Sequence, residues 1–103
     1  MKIKNLNHTT GKKCSCGSWL KHWENITEQT SSFCGNSVCT HDAEVGAHVK
    51  KSGHTDNAHY IVPLCKECNK KSSTEEFDLW DSYKLALAGS GNCVIKDDDA
   101  LFL

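Results

Sequence analysis

The chain has 103 residues, 38% of them hydrophobic, and a formal net charge of −1. That length suits one domain (1–103) whose core is small enough to benefit from an added staple. The near-neutral balance lacks an overall nucleic-acid signature, no apolar run approaches a membrane span, and the start MKIKNLNHTTGKK has no apolar secretory segment.

Seven cysteines stand out: Cys14, Cys16, Cys34, Cys39, Cys65, Cys68 and Cys93. With no secretory signal the expected compartment is the reducing cytoplasm, where clustered cysteines hold metal more often than they pair. An odd count also fits a full disulfide set poorly. Charge is unevenly spread. Residues 1–23 carry five lysines and no acid, whereas residues 75–103 carry seven acids and two lysines. All 12 basic residues are lysine. Without arginine the commonest device for reading guanine is missing, although lysine still contacts phosphate well.

Residues 1–13 read as a loose polar start. In SWLKHWENI, Trp19, Leu20, Trp23 and Ile26 fall on one face of a short helix that Ser18 can cap. The tryptophans read as core rather than as stacking platforms. TEQTSS is a polar linker, and FCGNSVC (33–39) is a tight turn closed by two cysteines. EVGAHV (44–49) and HYIVPL (59–64) read as strands flanking the turn-rich KKSGHTDNA, and CKECNKKS (65–72) opens a helix. Beyond it, Ser73 and Glu76 form a capping box, Phe77, Trp80 and Leu87 follow at roughly helical spacing, and Gly89 is a natural stop. The acidic triplet Asp97–Asp99 in the tail reads as a solvated turn.

Cys34-x4-Cys39 lies 25 residues before Cys65-x2-Cys68. Two short-range pairs around a hairpin-sized insert can converge on one tetrahedral ion, and four soft thiolates select Zn2+ over Mg2+ or Ca2+. Such sites contribute about 10–16 kcal/mol in zinc-finger peptides, enough to fold a small domain. The competing reading is disulfides or packed thiols. Cys14, Cys16 and Cys93 could join His22 in a second Cys3His zinc site, or be packed thiols or an oxidisable pair. The lysines at 12 and 13 would favour a reactive thiolate at Cys14 or Cys16.

The fold class expected is a small α+β zinc-stapled domain: knuckle, β-hairpin and Cys-x-x-Cys helix in a treble-clef layout, with a short N-terminal helix and a C-terminal extension. Within it, GAHV (46–49) and YIVPLCKECN (60–69) resemble the HNH nuclease superfamily over residues 33–72. The resemblance implies a hairpin histidine as general base, here His48, and a helix-start residue beside a divalent metal such as Mg2+, here Asn69. Ile61, Pro63, Leu64 and Cys65 match the hydrophobic approach to the helix. Two positions depart from the pattern: Ala47 stands where the family often has Asp, His or Glu, and Tyr60 where it has its central asparagine. Asn57 or His59 could replace that asparagine through a register shift. His48 has the alternative of a half-buried strand histidine, Asn69 that of a helix cap. His54 and His59 read as polar loop residues or auxiliary ligands, and His8 and His41 carry no signal.

Two functions from different classes follow, the first the leading expectation and the second its alternative. One is an HNH-like module that binds or cuts DNA or RNA, with Lys50, Lys51, Lys66, Lys70 and Lys71 on phosphates. Residues 40–75 also hold five acids, so the local balance is zero. The other is a non-catalytic zinc adaptor that contacts a protein partner or a second copy of itself.

Overall fold

The computed structural model describes residues 1–6, 18–53 and 58–88. Five strands form one antiparallel sheet: β1 (Lys2–Asn5), β2 (Val45–Lys51), β3 (Tyr60–Leu64), β4 (Glu76–Asp78) and β5 (Ala86–Leu87), in the order β4-β1-β2-β3-β5. Two helices complete it, α1 (Trp19–Thr27) and α2 (Lys66–Asn69).

The hairpin is where its β-branched residues put it. β2 and β3 pair from Val45↔Leu64 to Val49↔Tyr60. Pro63 lies within β3, a position that normally argues against an interior strand because its nitrogen cannot donate. Here β5 pairs with only Tyr60 and Ile61, and the carbonyl of Pro63 instead accepts the Gly35 amide at 2.7 Å.

Side chains of paired residues share a face. Gly46, His48, Ile61 and Ala86 therefore point to one side, while Ile3, Asn5, Ala47, Val49, Val62, Leu64 and Phe77 point to the other. α1 covers the first side. Its N-cap is Ser18, whose hydroxyl accepts the Lys21 amide at 3.1 Å. Trp23 is fully buried beneath it, and its indole N–H donates to the Lys84 carbonyl at 2.7 Å. The helix ends at Glu28, which adopts φ 58° and returns its amide to the Glu24 carbonyl. α2 lies on the opposite side, tied down by Asn5, whose side-chain amide donates to the carbonyls of Cys68 (2.9 Å) and Lys71 (3.2 Å). The sheet is thus a middle layer, with Ile3, Val49, Ile61, Val62 and Leu64 all at 0% exposure. Each such side chain stabilises the fold by about 1.5–3 kcal/mol.

Three expectations are corrected. Lys2–Asn5, within the segment expected to be loose, is an inner strand of the sheet, and Ile3 pairs with both Lys51 and Phe77. The helix expected from Ser73 onward is instead a turn followed by β4 and β5. Ser72 closes that turn, its hydroxyl accepting the Thr74 amide and its carbonyl the Glu75 amide. Finally, α2 spans four residues rather than running to Ser72. Gly89 and the acidic triplet lie outside the described residues.

Candidate metal centre

The knuckle is a loop pinned at both ends. Phe33 bridges Asp42, and the Cys34 amide donates to the His41 carbonyl at 2.9 Å. Asn36 shapes the bend: its carbonyl accepts the Cys39 amide at 2.9 Å and its side-chain oxygen the Val38 amide at 3.3 Å. Gly35 is needed because a Cβ there would sit 2.7 Å from the Pro63 carbonyl oxygen. The second cysteine pair arrives on the start of α2. Cys65 is its N-cap, and the Cys65 sulfur accepts the Cys68 amide at 3.4 Å.

These two turns bring the sulfurs of Cys34, Cys39, Cys65 and Cys68 within 4.8 Å of one another. The Cys39 and Cys65 sulfurs are 3.8 Å apart. A tetrahedron with zinc–sulfur bonds of about 2.3 Å has edges of about 3.8 Å, so the set is zinc-sized. It is too open for a disulfide, in which the sulfurs are about 2.05 Å apart, and all four cysteines are free. Donors surround the sulfurs: the His41 amide reaches Cys39 and the Asn36 side-chain amide reaches Cys68, each at 3.5 Å. A Zn2+ bound by four thiolates carries two net negative charges, and N–H donors stabilise them.

The sulfurs differ in electrostatics. Burial pushes the Cys68 thiol up to about 12 from its ordinary 9.0, outweighing the Asn36 hydrogen bond. Burial likewise raises Cys34. Cys39 is lowered, first by the His41 amide. At Cys65 burial acts upward, but the Cys68 amide and the His41 side chain together bring the thiol below its ordinary value. The same contact raises the His41 imidazole. His41 is the site residue that sequence reasoning missed. The only available signal was its place two residues after Cys39.

The residues of the proposed hydrolytic pair are not brought together. His48 faces α1, its ring edge-on to Trp19 at 4.5 Å between centroids. Asn69 is exposed at the end of α2, in the layer on the other side of the sheet. His48 is buried, at 7% exposure. Tyr60, at the position of the family's central asparagine, carries the Lys51 ammonium over its ring at 5.2 Å. Ala47 is 1% exposed on the face turned away from His48. His59 is exposed, its carbonyl accepting the Ala88 amide at 2.9 Å.

Of the second zinc set, His22 is buried under α1, its Nε2 donating to the Leu87 carbonyl at 2.8 Å. Cys14, Cys16 and Cys93 lie outside the described residues, as do His8, His54 and Asn57. Among the described residues the four-cysteine cluster is the one group of three or more His, Cys, Asp or Glu placed to hold an ion. No helix among them is long and apolar enough to cross a membrane. Comparison with family models, with curated proteins and with solved structures gave no match, so the HNH resemblance rests on the quoted residues alone.

Proposed function

We propose that the chain is a zinc-stapled binding module in which knuckle, β2–β3 hairpin and α2 form a treble-clef unit and the ion is structural. The observation that carries this reading is the four-sulfur set within 4.8 Å. Four protein thiolates fill a tetrahedral zinc and leave no position for a water or substrate. The placement of His48 and Asn69 on opposite sides of the sheet favours binding over hydrolysis. The contact surface best suited to an adaptor surrounds the clasp. Val38 is 85% exposed at the knuckle tip, and Phe33 (37%) meets Trp80 (42%) edge-to-face where they line a notch with Cys34 and Cys39. Grouped apolar exposure of this kind marks protein contact.

Nucleic-acid binding stands second, on one observation. Lys4 lies directly opposite Lys50 in the sheet. Opposed like charges destabilise a bare strand pair, and a phosphate would relieve them. Glu76, paired with Lys4 on its other side, already balances part of that charge.

Three measurements test the proposal. Native mass spectrometry should find zinc that is lost in Cys65→Ala. One ion per chain would remove the second set of Cys14, Cys16, His22 and Cys93, and two would support it. Plasmid incubated with Mg2+ or Mn2+ should stay supercoiled with wild type and with His48→Ala alike. Nicking that disappears in the variant, by roughly 10²–10⁴-fold, would restore the hydrolytic reading. A DNA or RNA gel shift at low salt that fades with added salt would favour the second reading over the adaptor.

A further inference from the structure

The four sulfurs are equivalent as zinc donors but not as targets. Cys34 and Cys65 are 1% exposed and Cys68 is 6% exposed, whereas Cys39 is only half-buried. Cys39 also lines an open surface notch of about 150 Å³ with Phe33, Cys34, Asn36, Ser37 and Trp80. A small molecule can therefore reach the clasp through the Cys39 side. Behind Cys39 lies the Cys65 sulfur, 3.8 Å away. Closing that gap to a bond of about 2 Å needs a movement of about 2 Å between two turn-borne side chains.

We propose that Cys39 is a modification site at which hydrogen peroxide or another small hydroperoxide opens the zinc clasp. This rests on the zinc reading above. The Cys39 thiolate attacks one peroxide oxygen and the O–O bond breaks. The departing hydroxide takes a proton from solvent and leaves as water, and Cys39 becomes a sulfenic acid. The Cys65 thiolate then attacks the Cys39 sulfur, the S–O bond breaks, and a second hydroxide is protonated to water. The two sulfurs have together lost two electrons, the peroxide has gained them, and two protons have been consumed. Zinc, left with two of its four ligands, dissociates. A thiol reductant that reopens the bond, with zinc present, reverses the cycle.

The test uses the zinc-loaded full chain, its metal content fixed first by native mass spectrometry. Small excesses of hydrogen peroxide are added in pulses, released zinc is read with a chromogenic chelator, and free thiols are capped with an alkylating agent. Cleavage after lysine places Cys65 in residues 52–66 and Cys68 in 67–70, because Lys66 separates them. Cys34 and Cys39 share residues 22–50 and are resolved by fragmentation. The expected product is a Cys39–Cys65 link that grows mole for mole with released zinc while Cys68 stays alkylatable, and a cyclic 1,3-diketone should trap sulfenic acid at Cys39. A first link or adduct at Cys34 or Cys68, or a Cys39–Cys65 link without zinc loss, overturns this proposal and leaves the zinc reading intact. A chain found without zinc before any peroxide is added overturns both.

Discussion

Cys68 contributes to the pH behaviour of the clasp, with Cys34 raised beside it and Cys39 and Cys65 lowered. The Cys68 thiol is pushed up to about 12 from 9.0, chiefly by burial. A folded-state value above the unfolded one means that the metal-free fold holds this proton more tightly than the unfolded chain. The resulting stability is intact below about pH 9 and is lost as pH climbs toward about 12. Zinc reverses the demand, because it binds the thiolate and must expel the proton. Zinc added to the metal-free protein at pH 7 should therefore release protons, measurable with an indicator dye. Affinity should weaken about tenfold per pH unit of acidification for each proton expelled. Another single-residue dependence lies at Tyr83. Its hydroxyl donates to the Phe33 carbonyl at 2.7 Å and accepts the Ser32 and Phe33 amides at 3.2 Å. Tyr83→Phe should lower stability by about 1–3 kcal/mol in urea unfolding, because polar backbone groups lose their partner. That Cys34, Cys39, Cys65 and Cys68 come together was legible because cysteine chemistry and spacing are strong constraints. The Tyr83 hub was not, since a tyrosine that bonds backbone 50 residues away leaves no local pattern.

Among the elements, α1 and the hairpin follow their sequence patterns, while the segment after α2 does not. Phe77, Trp80 and Leu87 suggest a helix only if Leu79 is left out. With Leu79 included, Glu76 to Trp80 alternates exposed and buried with Phe77 and Leu79 inward, which is a strand period. β1 escaped notice for a different reason. It has one strongly apolar residue, Ile3, and its pairing partners lie more than 40 residues away. Gly46 fixes how closely α1 approaches the sheet. A Cβ there would collide with backbone atoms of Trp19 and Leu20, which cannot swing aside as a side-chain tip would. Gly46→Ala should thus cost about 1–3 kcal/mol of stability and shift the near-ultraviolet signal of the tryptophans as α1 lifts.

For the whole molecule, the clasp joins the knuckle to α2, and Asn5 joins α2 to β1. In the zinc-loaded form proposed above, removing the ion should loosen more than the knuckle. Chelation is expected to lower the thermal midpoint, and the midpoint should rise again with free zinc concentration, as a ligand that binds only the folded state requires. In hydrogen exchange, the amides of β1 and of residues 34–42 should lose protection together. Uniform protection with and without chelator would count against this coupling.

The place of β1 in the sheet bears on how the chain is made. Ile3 needs Lys51 on one side and Phe77 on the other. At a synthesis rate of about 5–20 residues per second, the second partner leaves the ribosome about 1–5 seconds after the first. For that interval the outer edge of β1 is an open template for any other nascent strand. Lys2 and Lys4 flank Ile3 on that edge, and lysine on an open edge opposes such pairing. Part of the alternation in KIKN can thus be understood as protection during birth, before Asp78 and Glu76 arrive opposite Lys2 and Lys4.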